Sequence, residues 1–152
     1  MDQLQIPGLA FSGATGSPKP FTTNPAPDYA SIYADLALNV TNTILASGKP
    51  YLPPNTWLNV NFPEAGAGTR CTNVNQFKFV LSRLYVAVPL FSDPDVSTCG
   101  LRDRLPTENT VVGTPGCFAS VSLGHANNKL DAEVDEQMVV LGKLKSILSC
   151  LP

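Results

Sequence analysis

Charge, histidine and long apolar runs are all scarce in this chain. Of its 152 residues, 14% are charged and one is His, whereas about 25% of a typical soluble domain is charged. Ten Lys and Arg against twelve Asp and Glu give a net charge of −2. With no basic run, this argues against a face that binds a nucleic-acid polymer. No apolar stretch approaches the ~20 residues that span a bilayer, so we expect no membrane partner, and the first residues do not form a signal peptide.

Cysteine, by contrast, is present in a number that indicates disulfide bonds. The four residues are widely spaced, which argues against a zinc site, and four cysteines allow three pairings. We predict that Cys71 pairs with Cys99, securing the loop after a strand, and that Cys117 pairs with Cys150, joining the last strand to the last helix. Two disulfides imply an oxidising compartment, so we expect a secreted protein.

Proline and glycine are also plentiful, at 14 and 11 residues, and 43% of the chain is hydrophobic. This composition is typical of a compact, loop-rich, often secreted protein, or of a fragment that exposes surface meant for burial. The first segment favours the fragment. Ile6–Gly13 is a short apolar run closed by Ser-Gly, which predicts a fully buried parallel strand with neighbours on both sides. Such a strand so close to the first residue leads us to expect an incomplete domain.

A helix is predicted next, from an N-cap at Asp28 to a stop at Gly48 and Pro50. Apolar residues follow one another at helical spacing, and two more lie on the opposite side, so both sides are expected to be covered. The first face has Tyr29, Ile32, Tyr33, Leu36, Val40 and Ile44, and the second has Leu38 and Leu45.

Three strands and a second helix are predicted beyond it. Trp57–Phe62 alternates strictly, Phe77–Val88 is rich in β-branched and aromatic residues, and Cys117–Leu123 is a last strand. Between them, residues 89–115 are mostly irregular. Asp131 is expected to cap the final helix, whose apolar stripe is Leu130, Val134, Met138, Leu141, Leu144, Leu148 and Leu151. The order of elements predicts an α/β half-domain with an antiparallel extension and a C-terminal helix.

Few residues suggest chemistry on their own. Asp93 and Asp95 either bind a metal or form a solvated turn. His125 either acts as a general base or lies in the turn before the last helix. Ser12–Ser17 follows a strand, where ligands of open α/β sheets collect, so it is either a phosphate-adjacent loop or an ordinary turn. It lacks the Gly-Lys-Ser/Thr of a P-loop.

Two arginines complete the candidates. Arg102 and Arg104 either pair with a phosphate group or belong to an exposed, salt-bridged loop.

A family resemblance adds to these readings. Ile6–Gly13, a helix, and then Leu52–Pro63 with its Leu-Asn-Val-Asn-Phe-Pro block resemble the second half of the SurE-like phosphatase/nucleotidase family. Further segments resemble the fungal, secreted acid-phosphatase branch of this family: Phe77–Arg83, Arg104–Glu108, Gly116–Ser122 and Leu148–Pro152. The resemblance covers essentially the whole chain and identifies residues 1–152 as a partial SurE-like domain.

The resemblance implies a Rossmann-like core that binds one divalent metal, Mg²⁺ or Mn²⁺, and hydrolyses phosphomonoesters or nucleotides. The family's metal ligands are an Asp-Asp pair, a Ser and an Asn in its first half, and none of these motifs occurs here. We therefore expect no catalytic and no metal-binding residue in this chain. Ser12 and Gly13 are expected near the substrate, and the C-terminal region is expected to support homo-oligomers. The alternative is a non-catalytic, disulfide-stabilised, secreted interaction protein.

Overall fold

A computed structural model describes residues 7–20, 22–23 and 25–152. In chain order the strands are β1 (Gly8–Gly13), β2 (Thr56–Phe62), β3 (Lys78–Ser82) and β4 (Phe118–His125). The helices are α1 (Asp28–Ala46), α2 (Glu108–Gly113) and α3 (Val134–Leu144), with one 3-10 turn at Val74–Gln76. The α/β class predicted from the sequence is confirmed.

The strands of the described residues form one mixed sheet in the order β1-β2-β4-β3. β1 and β2 are parallel, with Ser12 opposite Asn61. β4 runs antiparallel to β2 and parallel to β3. The last strand of the sequence is therefore a central strand of the sheet.

The main core lies on one face of this sheet. Helices α1 and α3 cover that face, and their buried side chains pack against alternate residues of the strands. The members from α1, β2 and α3 include Ile32, Leu36, Val40, Ile44, Leu58, Val60, Phe62, Val140 and Leu144. Helix α2 covers part of the opposite face, where Val111 packs with Val80 and Phe118.

The first strand is not fully buried, contrary to the sequence prediction. β1 lies at one edge of the sheet, and none of its residues is buried. Leu9 and Phe11 pack against the main core, but Ala10 and Ser12 point to the other face and are exposed. Alternate residues of β1 thus have different surroundings, because α1 and α3 cover one face only. Ile6 lies outside the described residues.

Helix α1 forms as predicted over most of its length. Its four fully covered residues are those of the expected face. Asp28 is the first helical residue rather than the N-cap, which is Pro27. Leu38 and Leu45 on the opposite side are more than half exposed, so no described residue covers the second face.

The strand predicted at 77–88 ends early, at Ser82. Arg83 follows the strand, bridges to Thr107 and is buried in an ion pair with Asp95 at 2.7 Å. Residues 85–91, which we call the apolar loop, then leave the sheet; Leu90 is 99% and Phe91 86% exposed. The irregular stretch predicted at 89–115 contains α2, which the sequence reading missed.

The last helix is shorter than predicted, and only part of its predicted stripe faces the main core, namely Val134, Leu141, Leu144 and Leu148. Its N-cap is Glu133, which forms a reciprocal capping box with Glu136. Asp131 instead accepts hydrogen bonds from the backbone of Leu84 and from Arg83. Gln137 is buried and donates to Asp95 at 2.9 Å, whereas Met138 of the predicted stripe is 55% exposed. The need to satisfy Asp95 sets which face turns inward.

The predicted disulfide pairing is wrong. Cys71 pairs with Cys117, and Cys99 pairs with Cys150, with Cα–Cα distances of 5.6 and 5.5 Å. Cys71 follows β2, and Cys117 precedes β4, which runs antiparallel to β2. Both cysteines therefore lie beyond the same end of these two strands. Cys99 lies in a turn beside the segment that contains Cys150. Strand direction, which spacing alone does not reveal, decides the pairing.

Candidate functional site at the ends of two parallel strands

Strands β1 and β2 are parallel, so their carboxyl ends lie side by side. We call this border of the sheet, where the two strands end, the carboxyl edge. There Ser12 lies opposite Asn61, and Gly13 opposite Phe62. The Ser12 hydroxyl donates to Oδ1 of Asn61 over 2.5 Å. Open α/β sheets bind ligands at this position, which makes this edge the candidate site.

Gly13 is explained by a close approach of Tyr33 from α1. A Cβ on Gly13 would overlap the Tyr33 ring, so only glycine fits here without a shift. The Tyr33 hydroxyl accepts a hydrogen bond from the Thr15 amide at 3.0 Å and donates to the Pro63 carbonyl at 2.9 Å. One phenol thereby fixes the spacing of the two loops that follow β1 and β2.

Two backbone N–H groups of the Gly-rich loop are already used within the protein. The Ala14 amide donates to the Phe62 carbonyl and the Thr15 amide to Tyr33. In addition, the Thr15 hydroxyl accepts from the Ala65 amide at 2.9 Å. These bonds favour the ordinary-turn reading of Ser12–Ser17 over a loop whose amides point at phosphate.

An open cleft of about 730 Å³ lies beside these loops. It is bounded by the loop after β2, by the segment leading to Cys71 and by the end of α2 as far as Gly116. Glu64 and Arg70 line it, and both are exposed. The cleft thus offers one charge of each sign and a rim of backbone groups, suited to a small polar molecule.

A row of polar side chains crosses the sheet on the face away from the main core. Asn59 Nδ2 donates to Glu108 of α2 at 2.8 Å, and the hydroxyls of Ser82 and Ser122 lie 2.7 Å apart. α2 covers the middle of this row, at β4 and β2. The β1 end, with Ala10 and Ser12, is open to solvent. The sheet therefore has one dry face and one face that is polar and half covered.

The residues at this edge do not fit a divalent metal. In the described part of the chain, no three His, Cys, Asp or Glu side chains converge. The nearest oxygen ligands, Ser12 and Asn61, are neutral and bonded to each other. Mg²⁺ is usually held by one or two carboxylates; Glu64 lines the adjoining cleft, and no second carboxylate is among the residues that line it. No catalytic step through a metal is derived from this chain.

The other predicted candidates lie apart from this edge and serve the fold. Asp95 is buried, accepts from Arg83 and from the Leu105 amide, and is neither a metal ligand nor a solvated turn. His125 ends β4, with Nε2 2.6 Å from Glu136 Oε2. Among the described residues, neither side chain hydrogen-bonds to a nucleophilic group.

The two arginines do not form the predicted salt bridges. Arg104 donates to the backbone carbonyls of Ser92, Asp93 and Asp103, and Arg102 is exposed.

Sequence reasoning missed the buried cluster of Arg83, Asp95, Asp131 and Gln137. Its signal was present: an arginine directly after Phe-Val-Leu-Ser is a cation at the end of a buried strand, and such a group needs an acidic partner. Helical spacing predicts that Tyr33 lies on the buried face of α1. It gives no indication that the Tyr33 hydroxyl joins the loops after β1 and β2.

Comparisons with protein-family models, curated proteins and solved structures found no match. In the described residues, no helix combines the length and apolarity needed to cross a membrane. The two disulfides are compatible with an extracellular protein.

Proposed function

We propose that this chain forms the C-terminal part of a SurE-like, metal-dependent phosphomonoester hydrolase and acts together with a segment that carries the metal ligands. The observation that carries the proposal is the position of β1. It is a parallel strand at the edge of the sheet, its outer side has no partner among the described residues, and it ends at the candidate site.

The state of Leu9 and Phe11 supports this. Both pack against the main core but are only partly buried, and the Phe11 ring stacks on Phe62 with centroids 6.2 Å apart. A further strand beside β1 would cover the exposed parts and satisfy its free backbone groups. If it ran parallel to β1, such a strand would also bring its own carboxyl end to the place where Ser12 and Gly13 lie.

In this proposal the chain contributes the wall of a site rather than its catalytic groups. Ser12 and Gly13 would face the substrate, a phosphomonoester or nucleotide, and the cleft next to Arg70 would accept part of it. Mg²⁺ or Mn²⁺ would be held by the partner segment. The protein would be secreted, in keeping with its two disulfides.

The test is hydrolysis of p-nitrophenyl phosphate and of nucleoside monophosphates, with Mg²⁺ or Mn²⁺ added. The chain alone is expected to show no turnover. Addition of a separately produced first half of a SurE-like phosphatase is expected to give a stable complex and metal-dependent turnover. Turnover by the chain alone, or failure of the two parts to associate, would overturn the proposal.

The second candidate function is a non-catalytic interaction protein, which the apolar loop favours. Val86, Leu90 and Phe91 are each at least 76% exposed. The base of the loop is held firmly, because the Leu84 amide donates to Asp131 at 2.6 Å and the Val88 amide to Ser92 at 2.9 Å. A fixed, exposed apolar segment is typical of a protein-binding surface. A monodisperse monomer that lacks phosphatase activity with the first half present would favour this function.

A further inference from the structure

Helix α1 contains the sequence Asn39-Val-Thr41 near its middle. An Asn that is followed two residues later by Thr, with a residue other than Pro between them, is the acceptor sequence for an N-linked oligosaccharide. The chain has no second sequence of this kind. Such sequences also arise by chance, so the surroundings of Asn39 decide what it can do.

The fold gives no reason of its own for an asparagine at this position. Asn39 is exposed, and its side chain takes part in no hydrogen bond among the described residues; the Thr43 hydroxyl bonds to its backbone carbonyl instead. Asparagine is a poor helix former, because its amide competes with the backbone for hydrogen bonds. A residue that opposes its own helix without a compensating bond is a candidate for a function.

There is open space beside Asn39. An open hollow of about 460 Å³ lies between the last half of α1 and the end of α3, and its lining includes Asn39, Asn42, Lys143 and Ser146. This hollow shares no residue with the cleft beside the carboxyl edge. An oligosaccharide at Asn39 would therefore extend into solvent and would leave the carboxyl edge accessible.

The outer side of α1 also exposes two leucines that an oligosaccharide would shield. Leu38 and Leu45 are 56% and 52% exposed. Residues 38, 42 and 45 follow one another at spacings of four and three, so they form one row along the helix, next to Asn39. A glycan is bulky and solubilising. Its presence at Asn39 would explain why this side of α1 has no cover among the described residues.

We propose that Asn39 carries an N-linked oligosaccharide. The inference rests on the proposed secretion of the protein, because the transferring enzyme acts on the lumenal side of the secretory pathway. In the transfer, Nδ2 of Asn39 forms a bond to C1 of a lipid-linked oligosaccharide, and the bond from C1 to the lipid diphosphate breaks. The amide releases one proton, the lipid diphosphate leaves, and no oxidant or reductant is needed.

The transfer has to precede folding. The Thr41 hydroxyl, which the acceptor sequence requires, donates to the Ala37 carbonyl at 2.7 Å within α1. Val40, the residue between the acceptor Asn and the Thr, is fully buried against the main core. The complete acceptor sequence is therefore accessible only before the helix forms. Afterwards α1 folds with the modified Asn39 on its outside.

The test uses the whole chain behind a cleavable secretion leader, translated in the presence of microsomes. We expect a product of higher mass that returns to the unmodified mass with peptide-N-glycosidase F, and mass spectrometry should show the Asn39→Asp conversion which that enzyme leaves. The purified, folded chain added to detergent-opened microsomes should stay unmodified, whereas the reduced and unfolded chain should be modified.

The outcomes separate this inference from the proposed secretion. A chain that enters the microsomes, as shown by protection from added protease, but carries no glycan would overturn the inference and leave the secretion proposal standing. Recovery of the unmodified protein from the cytosol of its natural source would overturn both. Modification of the folded chain would contradict the order of transfer and folding.

Matched variants locate the modified residue. Asn39→Gln and Thr41→Ala should abolish the increase in mass, and Thr41→Ser should retain it at lower occupancy. Asn42→Gln and Thr43→Ala alter the same residue types on the same helix outside the acceptor sequence, so the glycan should remain. Because transfer precedes folding, these results do not depend on whether a variant folds. A glycan that persists in Asn39→Gln would contradict the assignment.

Discussion

The two edge strands of the sheet, β1 and β3, differ in how far the rest of the described chain covers them. The β3 edge is closed: the C-terminal segment pairs with Phe79, the Cys99–Cys150 disulfide holds that segment, and Arg83 pairs with Thr107 beyond the strand. The β1 edge has no such cover in the part of the chain that the structure describes. Unpaired edges invite association with other strands, so β1 is the edge of the described sheet that is open to a further strand.

The largest effect is expected from breaking the cluster that anchors the closed side. Arg83→Met leaves the buried Asp95 and the partly buried Asp131 without their cation, and loss of one partner of a buried ion pair costs about 3–5 kcal/mol. Denaturant melts should show this decrease in the free energy of unfolding. Asp93→Asn, an exposed change in the same loop, is the control and should be nearly neutral. A loss below 1 kcal/mol for Arg83→Met, on the order of an exposed pair, would show that the cluster is solvated.

Removal of the disulfide at the closed edge comes next. The double variant Cys99→Ser, Cys150→Ser opens a loop of 51 residues, and losses of about 2–4 kcal/mol are typical of such a change. Hydrogen exchange should increase first at the Ser149 amide, which donates to the Phe79 carbonyl of β3. If that amide stays as protected as in the unaltered protein, the disulfide does not hold the edge.

At the open edge, Gly13→Ala should have a moderate effect. The added methyl group meets the Tyr33 ring, and overpacking of this kind costs about 1–3 kcal/mol. The amide of Thr15 should also lose protection, because its acceptor is the displaced hydroxyl. Gly113→Ala, where an added Cβ meets nothing within 4 Å, is the matched control. Equal stability of the two variants would contradict the close packing at Gly13.

The smallest change in stability, but a clear change in association, is expected from Ala10→Lys. Ala10 is exposed on β1, so the free energy of unfolding should stay within about 0.5 kcal/mol. A lysine on an edge strand opposes pairing, so light scattering should show less self-association and the dye ANS should bind less. Ala34→Lys on the exposed side of α1 is the control. If the unaltered chain is already a monodisperse monomer without ANS binding, β1 does not recruit a partner.

Local patterns predicted the elements with strong periodicity. The helix from Asp28 to Ala46 formed with its first predicted face buried but its second face exposed, and the alternating strand Trp57–Phe62 formed with its expected buried face. Contacts between residues far apart in the sequence could not be predicted from local patterns. The place of β4 in the centre of the sheet and the two disulfide partners depend on strand direction, and the burial of Gln137 depends on an aspartate 42 positions away.

The candidate site was predicted only in part. Ser12 and Gly13 do lie at the carboxyl end of a parallel strand, and whether they face a substrate stays a prediction. Their actual contacts, with Asn61 and Tyr33, come from residues 49 and 20 positions away in the chain. No spacing rule links such residues, because the distance is set by the packing of α1 on the sheet.

The strand order also has a consequence for synthesis. β4 comes after residue 117 yet separates β2 from β3, so β3 has no sheet partner while the ribosome is still adding the residues between them. Contacts of long sequence separation form slowly, and the apolar strands β2 and β3 must wait in a nascent chain that is open to aggregation. A stalled chain ending before Phe118 should therefore be a chaperone substrate, whereas one that extends past His125 can close the sheet in a single step.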